Sequence, residues 1–214
     1  MNDLSEIKKG ARQDDYPSME ALARAALDAG QTPAEMLRTC YGVSFPAEVH
    51  MIDTMRGERR ALPGTYANQP WSLLALARGA SDELRPMIGE YERRARTIDE
   101  RLLPLLLLQD DGGTHSGWFV CYRIDELAAG RPTIVALVPD FWNRGARDVQ
   151  RLGDSLAGVL HEHFASAAKR IQAEYESPSN RGAGSAEEGE VTHAQEMLAR
   201  ADDLVRAVAA ASGA

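Results

Sequence analysis

"LPLLLLQDDGGTHSGWFVCYRID", Leu103 to Asp125, decides the fold. Its first part is a continuous apolar run of strand length. Its last part alternates, with Trp118, Val120, Tyr122 and Ile124 on one face and Phe119, Cys121 and Arg123 on the other, the period-two pattern of a second strand. Between them stands Asp110-Asp111-Gly112-Gly113. Those carboxylates could be offered to a metal, but a calcium loop of the EF-hand type needs acidic or amide residues at alternate positions and a closing glutamate, and neither follows. The turn reads as a bend between two strands, with glycine allowing positive φ.

Working toward the C-terminus, Ile134 to Val138 is a third strand, apolar enough to be buried on both faces. A helix opening at Asp148 or Asp154 then carries Leu152, Leu156, Val159, Leu160 and Phe164 inward, as far as Tyr175. Ser177 to Val191, "SPSNRGAGSAEEGEV", has no large apolar residue before its final valine and reads as a flexible linker. After it, Thr192 and Gln195 form a capping box, and Ala194, Met197, Leu198, Ala201, Leu204, Val205 and Val208 make one apolar stripe. Such a stripe is expected to dock on the domain, on a second copy as a homodimer contact, or on a partner.

Working toward the N-terminus, the chain is helical. Ser18 caps a helix with Met19, Leu22, Ala26 and Leu27 at helical spacing and Gly30 as its stop. In Thr32-Pro33-Ala34-Glu35 a capping box and a first-turn proline open the next helix, with Met36, Leu37, Cys40 and Tyr41 inward and Gly42 as a left-handed ending. Pro46 opens a third helix carrying Val49, Ile52 and Met55, and Gly57 closes it. Arg56 to Gln69 reads as a loop, and Pro70 and Pro86 open helices near Trp71 to Arg78 and Met87 to Arg101. Helices, then adjacent strands, then a helix imply an α+β fold: a mainly antiparallel sheet flanked by helices over residues 1–176, a linker over 177–191 and a C-terminal amphipathic helix over 192–214.

Of 214 residues, 44% are hydrophobic and 26% charged, the composition of a globular chain. The opening MNDLSEIKKG lacks the apolar core of a secretory signal, and the run Leu102 to Leu108 is far short of a membrane span, so a cytoplasmic location with reduced cysteines is expected. A net charge of −8 repels a phosphate backbone and makes nucleic acid an unexpected ligand; it suits either solubility alone or a basic protein partner.

His161-Glu162-His163 is no metal pair, because residues two apart on a helix diverge. His50, His115 and His193 stand alone in sequence. Cys40 and Cys121 sit in apolar patterns where cysteine behaves as a small hydrophobe, and no phosphate-loop, dinucleotide or nucleophile-elbow motif occurs. No cofactor or metal is therefore expected. Trp118, Tyr122, Phe141 and Trp142 are the candidate anchors. The last two lie in "PDFWNRG", just after the third strand, where they either face a partner or fold over the sheet as a lid.

The passage Tyr41 to Met55, with its helix, glycine, "VSFP" and helix, resembles the "lGv-lP" element of the SUKH superfamily. That superfamily takes in a yeast cell-wall-synthesis regulator and many bacterial immunity proteins. "LLPLLLLQDDGGTHSGWFVCYRID" looks like its strand, acidic-glycine turn and second strand, "PTIVALVPDFW" like its next strand and exit, and "DSLAGVLHEHFASAA" like its closing helix. The resemblance spans about Thr32 to Ala168 and implies a non-enzymatic immunity protein that neutralises a polymorphic toxin by occluding its active surface. The expected contact residues are Asp110, Asp111, Trp118, Asp140, Phe141 and Trp142. Two alternatives are a scaffold module that recruits a cellular enzyme and a small enzyme with a carboxylate groove.

Overall fold

The computed structural model describes residues 4–58, 60–80, 84–109, 117–137, 149–177 and 187–213. Among them the α+β expectation holds. Helices α1 (Leu4–Gly10), α2 (Tyr16–Asp28), α3 (Pro33–Tyr41) and α4 (Ala47–Gly57) come first. Edge strand β1 (Thr65–Tyr66), α5 (Trp71–Ala77) and α6 (Pro86–Ile98) follow, then β2 (Leu102–Gln109) and β3 (Gly117–Arg123). The chain continues through α7 (Ile124–Ala128), β4 (Ile134–Leu137), β5 (Val149–Gly153), α8 (Leu156–Glu176) and α9 (Glu188–Ser212). The five strands form one sheet in chain order, and every neighbouring pair is antiparallel.

Local chemistry accounts for the helix ends. Thr32 Oγ1 accepts the Glu35 amide while the Glu35 carboxylate accepts the Thr32 amide at 2.8 Å, and Gly42, at φ 75°, closes α3 in the left-handed region. The first helix, α1, lies in what reads as a polar start, and α2 begins two residues before Ser18, whose hydroxyl instead holds the preceding turn through Arg12 and Asp15. Val149–Gly153 is a strand rather than the start of a helix: Leu137 lies opposite Val149 and Val135 opposite Arg151, so Leu152 belongs to the sheet and Ser155 caps α8. Ile124 opens α7 instead of ending β3. The loop expected over Arg56 to Gln69 contains β1, and the C-terminal helix starts at Glu188 rather than Thr192, because Glu187 and Glu190 supply the capping box. Of the linker expected over 177–191, residues 178–186 lie outside the described residues.

Both faces of the sheet centre are buried. Val120 and Tyr122 on one face and Phe119 and Cys121 on the other are at most 1% exposed, which is why β2 and β3 read as near-continuous apolar runs. In β2 the register slips between Pro104 and Leu106. The bulge sets aside the Leu105 carbonyl, which accepts the Ala67 amide at 2.8 Å and the buried Trp71 indole N–H at 2.6 Å. The Arg56 guanidinium lies 4.6 Å from the Tyr66 ring centre and 5.4 Å from that of Trp71, so the last turn of α4 covers this edge of the sheet. No described helix is long and apolar enough to cross a membrane.

Candidate functional site

The position of α8 is fixed by a residue far away in sequence. Glu48, in the first turn of α4, is 3% exposed, and its carboxylate accepts four hydrogen bonds. Tyr122 O–H (2.7 Å) and the Leu156 amide (2.8 Å) reach Oε1, while Ser155 O–H (2.8 Å) and the Ala157 amide (3.1 Å) reach Oε2. Ser155 Oγ in turn accepts the Gly158 amide at 3.1 Å. A negative charge at a helix N-terminus, given the orphan amides of the first turn, is both satisfied and favoured by the helix dipole. Burial, with the Glu48 charge second, pushes the Tyr122 phenol well above its ordinary value, so it remains a donor. One carboxylate thus ties α4, β3 and α8 together.

Held this way, α8 crosses the sheet and leaves an open cleft beside it. One compartment, about 290 Å³, lies between Trp118 and Val120 of β3, Leu152 of β5, and Val159 and Glu162 of α8. A second, about 640 Å³, lies between Thr65 of β1, Phe164 and Glu174 of α8, and His193 and Met197 of α9. Leu108 and His163 line both, so the two adjoin each other along α8. Trp118 is half-buried at the wall of the first. Gly117 beside it leaves little room for a side chain: a Cβ there would stand 2.8 Å from Leu107 Cδ1 and 3.1 Å from the Leu108 carbonyl, so the Leu107 side chain would have to shift.

Of the residues expected to meet a partner, Trp118 is therefore placed on a cleft, whereas Tyr122, also read as an anchor, is fully buried with its hydroxyl donated to Glu48 and can meet no partner. Asp110, Asp111, Asp140, Phe141 and Trp142 lie outside the described residues. The strand register adds one relation. Gln109 is opposite Gly117, Phe119 opposite Leu137, and Leu137 opposite Val149, so the four strand ends that lead into residues 110–116 and 138–148 lie at the Trp118 end of the sheet.

Other candidates have structural roles. His161 Nε2 stands 2.9 Å from Asp202 Oδ1 on α9, whereas His163 lines the cleft beside the Phe164 ring, so the two histidines diverge as their spacing requires. Burial pushes the Cys40 thiol up to about 12 and raises that of Cys121 further, which keeps both protonated and poor nucleophiles. Among the described residues no three His, Cys, Asp or Glu side chains converge to hold a metal. Sequence reasoning missed Glu48, since a lone glutamate in a polar-looking first turn carries no signal of burial. It also missed the cleft role of Glu162, Glu174 and Glu190, which sit on two helices whose relative placement is a tertiary fact.

No known family matches the chain, and no curated protein or solved structure is significantly similar to it.

Proposed function

We propose that this chain is a binding protein of the immunity type, which neutralises a toxin domain by covering its active surface and performs no turnover of its own. The observation that carries the reading is the half-buried Trp118 on the wall of an open cleft, at the sheet end where the acidic and aromatic connections also depart. A large, half-exposed aromatic on the wall of a groove is the kind of residue that dominates binding energy at protein interfaces. The net charge of −8 favours a basic partner and speeds its encounter. The SUKH-like sequence elements supply the toxin as partner class, and the protonated, buried thiols weigh against a cysteine-based enzyme.

The test is co-expression with the protein encoded beside its own reading frame. The chain is expected to restore growth to cells producing that protein and to bind it in purified form, with Trp118→Ala weakening binding by about 2 kcal/mol or more. A chain that neither protects cells nor binds the neighbouring product would overturn the reading.

A further inference from the structure

The cleft is longer than Trp118 alone can use, and its walls carry a pattern. Along α8 it runs from Val159 in the first compartment to Glu174 in the second. That separation corresponds to about 22 Å of helix, the span of roughly six or seven extended residues and too long for one compact metabolite. Its floor is apolar: Leu108 is 4% exposed, Phe164 7% and Met197 4%. Its rim is acidic. Glu162, Glu174 and Glu190 line it, and among the described lining residues the one guanidinium is that of Arg170, which stands 3.4 Å from Glu174.

We infer that this cleft receives an extended, basic segment of the protein partner, with an apolar side chain seated beside Trp118 and lysine or arginine side chains directed to Glu162, Glu174 and Glu190. The inference rests on the protein-binding reading above and gives the partner's contact chemistry. An apolar floor fixes alternate side chains of an extended chain, while the carboxylate rim selects the charge of those between.

The probe is a heptapeptide alternating leucine and lysine, titrated into the full-length protein at low salt, beside its counterpart with glutamate in place of lysine. The lysine peptide is expected to bind and the glutamate peptide to fail. Glu162→Lys combined with Glu174→Lys is expected to weaken binding roughly tenfold or more, and Ala167→Trp, which sets an indole across the second compartment, to abolish it with the melting temperature retained. Asp203→Lys, at a carboxylate 59% exposed on α9, is expected to leave it unchanged. Equal binding of both peptides would overturn the inference, as would equal loss in the Asp203→Lys protein, which would mark attraction to the general field. A dimer that dissociates on Ala167→Trp would assign the cleft to a second copy and overturn it too. If Ala167→Trp still protects cells while Trp118→Ala does not, the cleft inference falls and the protein-binding reading stands.

Discussion

The carboxylate of Glu48 receives donors on both oxygens, and two of those donors are backbone amides that cannot turn round. The near-isosteric Glu48→Gln is therefore not a mild change: its amide nitrogen must face the Leu156 amide or the Ala157 amide, donor against donor. Glu48→Ala removes the acceptor altogether and is expected to cost about 3 kcal/mol or more in urea unfolding, with Tyr122→Phe costing about 1 kcal/mol because only one donor is lost. Glu92 poses the opposite problem. Burial raises its carboxyl above the ordinary value, although the Gln69 amide (3.0 Å) and the Asn68 side chain (3.3 Å) donate to it. A folded value above the unfolded one means that its contribution is fully present below the unfolded value and is lost as pH rises through the folded one. Against the wild type, Glu92→Gln should thus gain relative stability across that rise, as read by urea melts at a series of pH values. The two cysteines give a third expectation at this scale: with both thiols buried and raised, neither should react with a thiol reagent at pH 8 until denaturant is added.

Among the elements, α9 is the one whose docking the sequence left open. It packs along α8 and against α4, burying Ala194, Met197, Ala201 and Leu204, and the pair between His161 and Asp202 closes the same contact. Truncation after Ser177 should therefore lower the melting temperature and expose an apolar strip on α8, detectable as dye binding or self-association in sedimentation. Much of the rest was legible. The capping box at Thr32 and the glycine stop at Gly42 are satisfied within a few residues, and the apolar runs of β2 and β3 are themselves local patterns, so these signals mark their elements correctly. What was illegible depends on partners distant in the chain. Thr65–Tyr66 has no strand pattern of its own and is a strand only because Leu106 and Leu107 offer it a ladder. Val149–Gly153 reads equally as the first turn of a helix until β4 claims it. Trp118 was visible as an aromatic near a turn, but the helix face that makes its cleft lies some forty residues further on, at Val159 to Ser166.

At the scale of the whole molecule, the sheet is a plain succession in which each strand lies beside its neighbour in the chain, and the covering helix follows the last strand. The proposed surface for a partner would then be built by two kinds of part, strands that set Trp118 and two helices, α8 and α9, that set the acidic rim. Raising the salt concentration should slow association with a basic partner far more than it speeds dissociation, because the rim charges act at encounter while Trp118 acts in the seated complex; stopped-flow binding at two ionic strengths separates the two rates. The order of parts also has a consequence for synthesis. Strands β2 to β5 can pair as they leave the ribosome, but Glu48 is made more than a hundred residues before the amides of Leu156 and Ala157 that it will accept. Until α8 has emerged, a nascent chain carries a finished sheet with one oily side uncovered and a carboxylate awaiting its partners. A ribosome arrested with residue 153 just outside the exit tunnel should hold a chain that recruits a holding chaperone, and one arrested with residue 176 outside should release it.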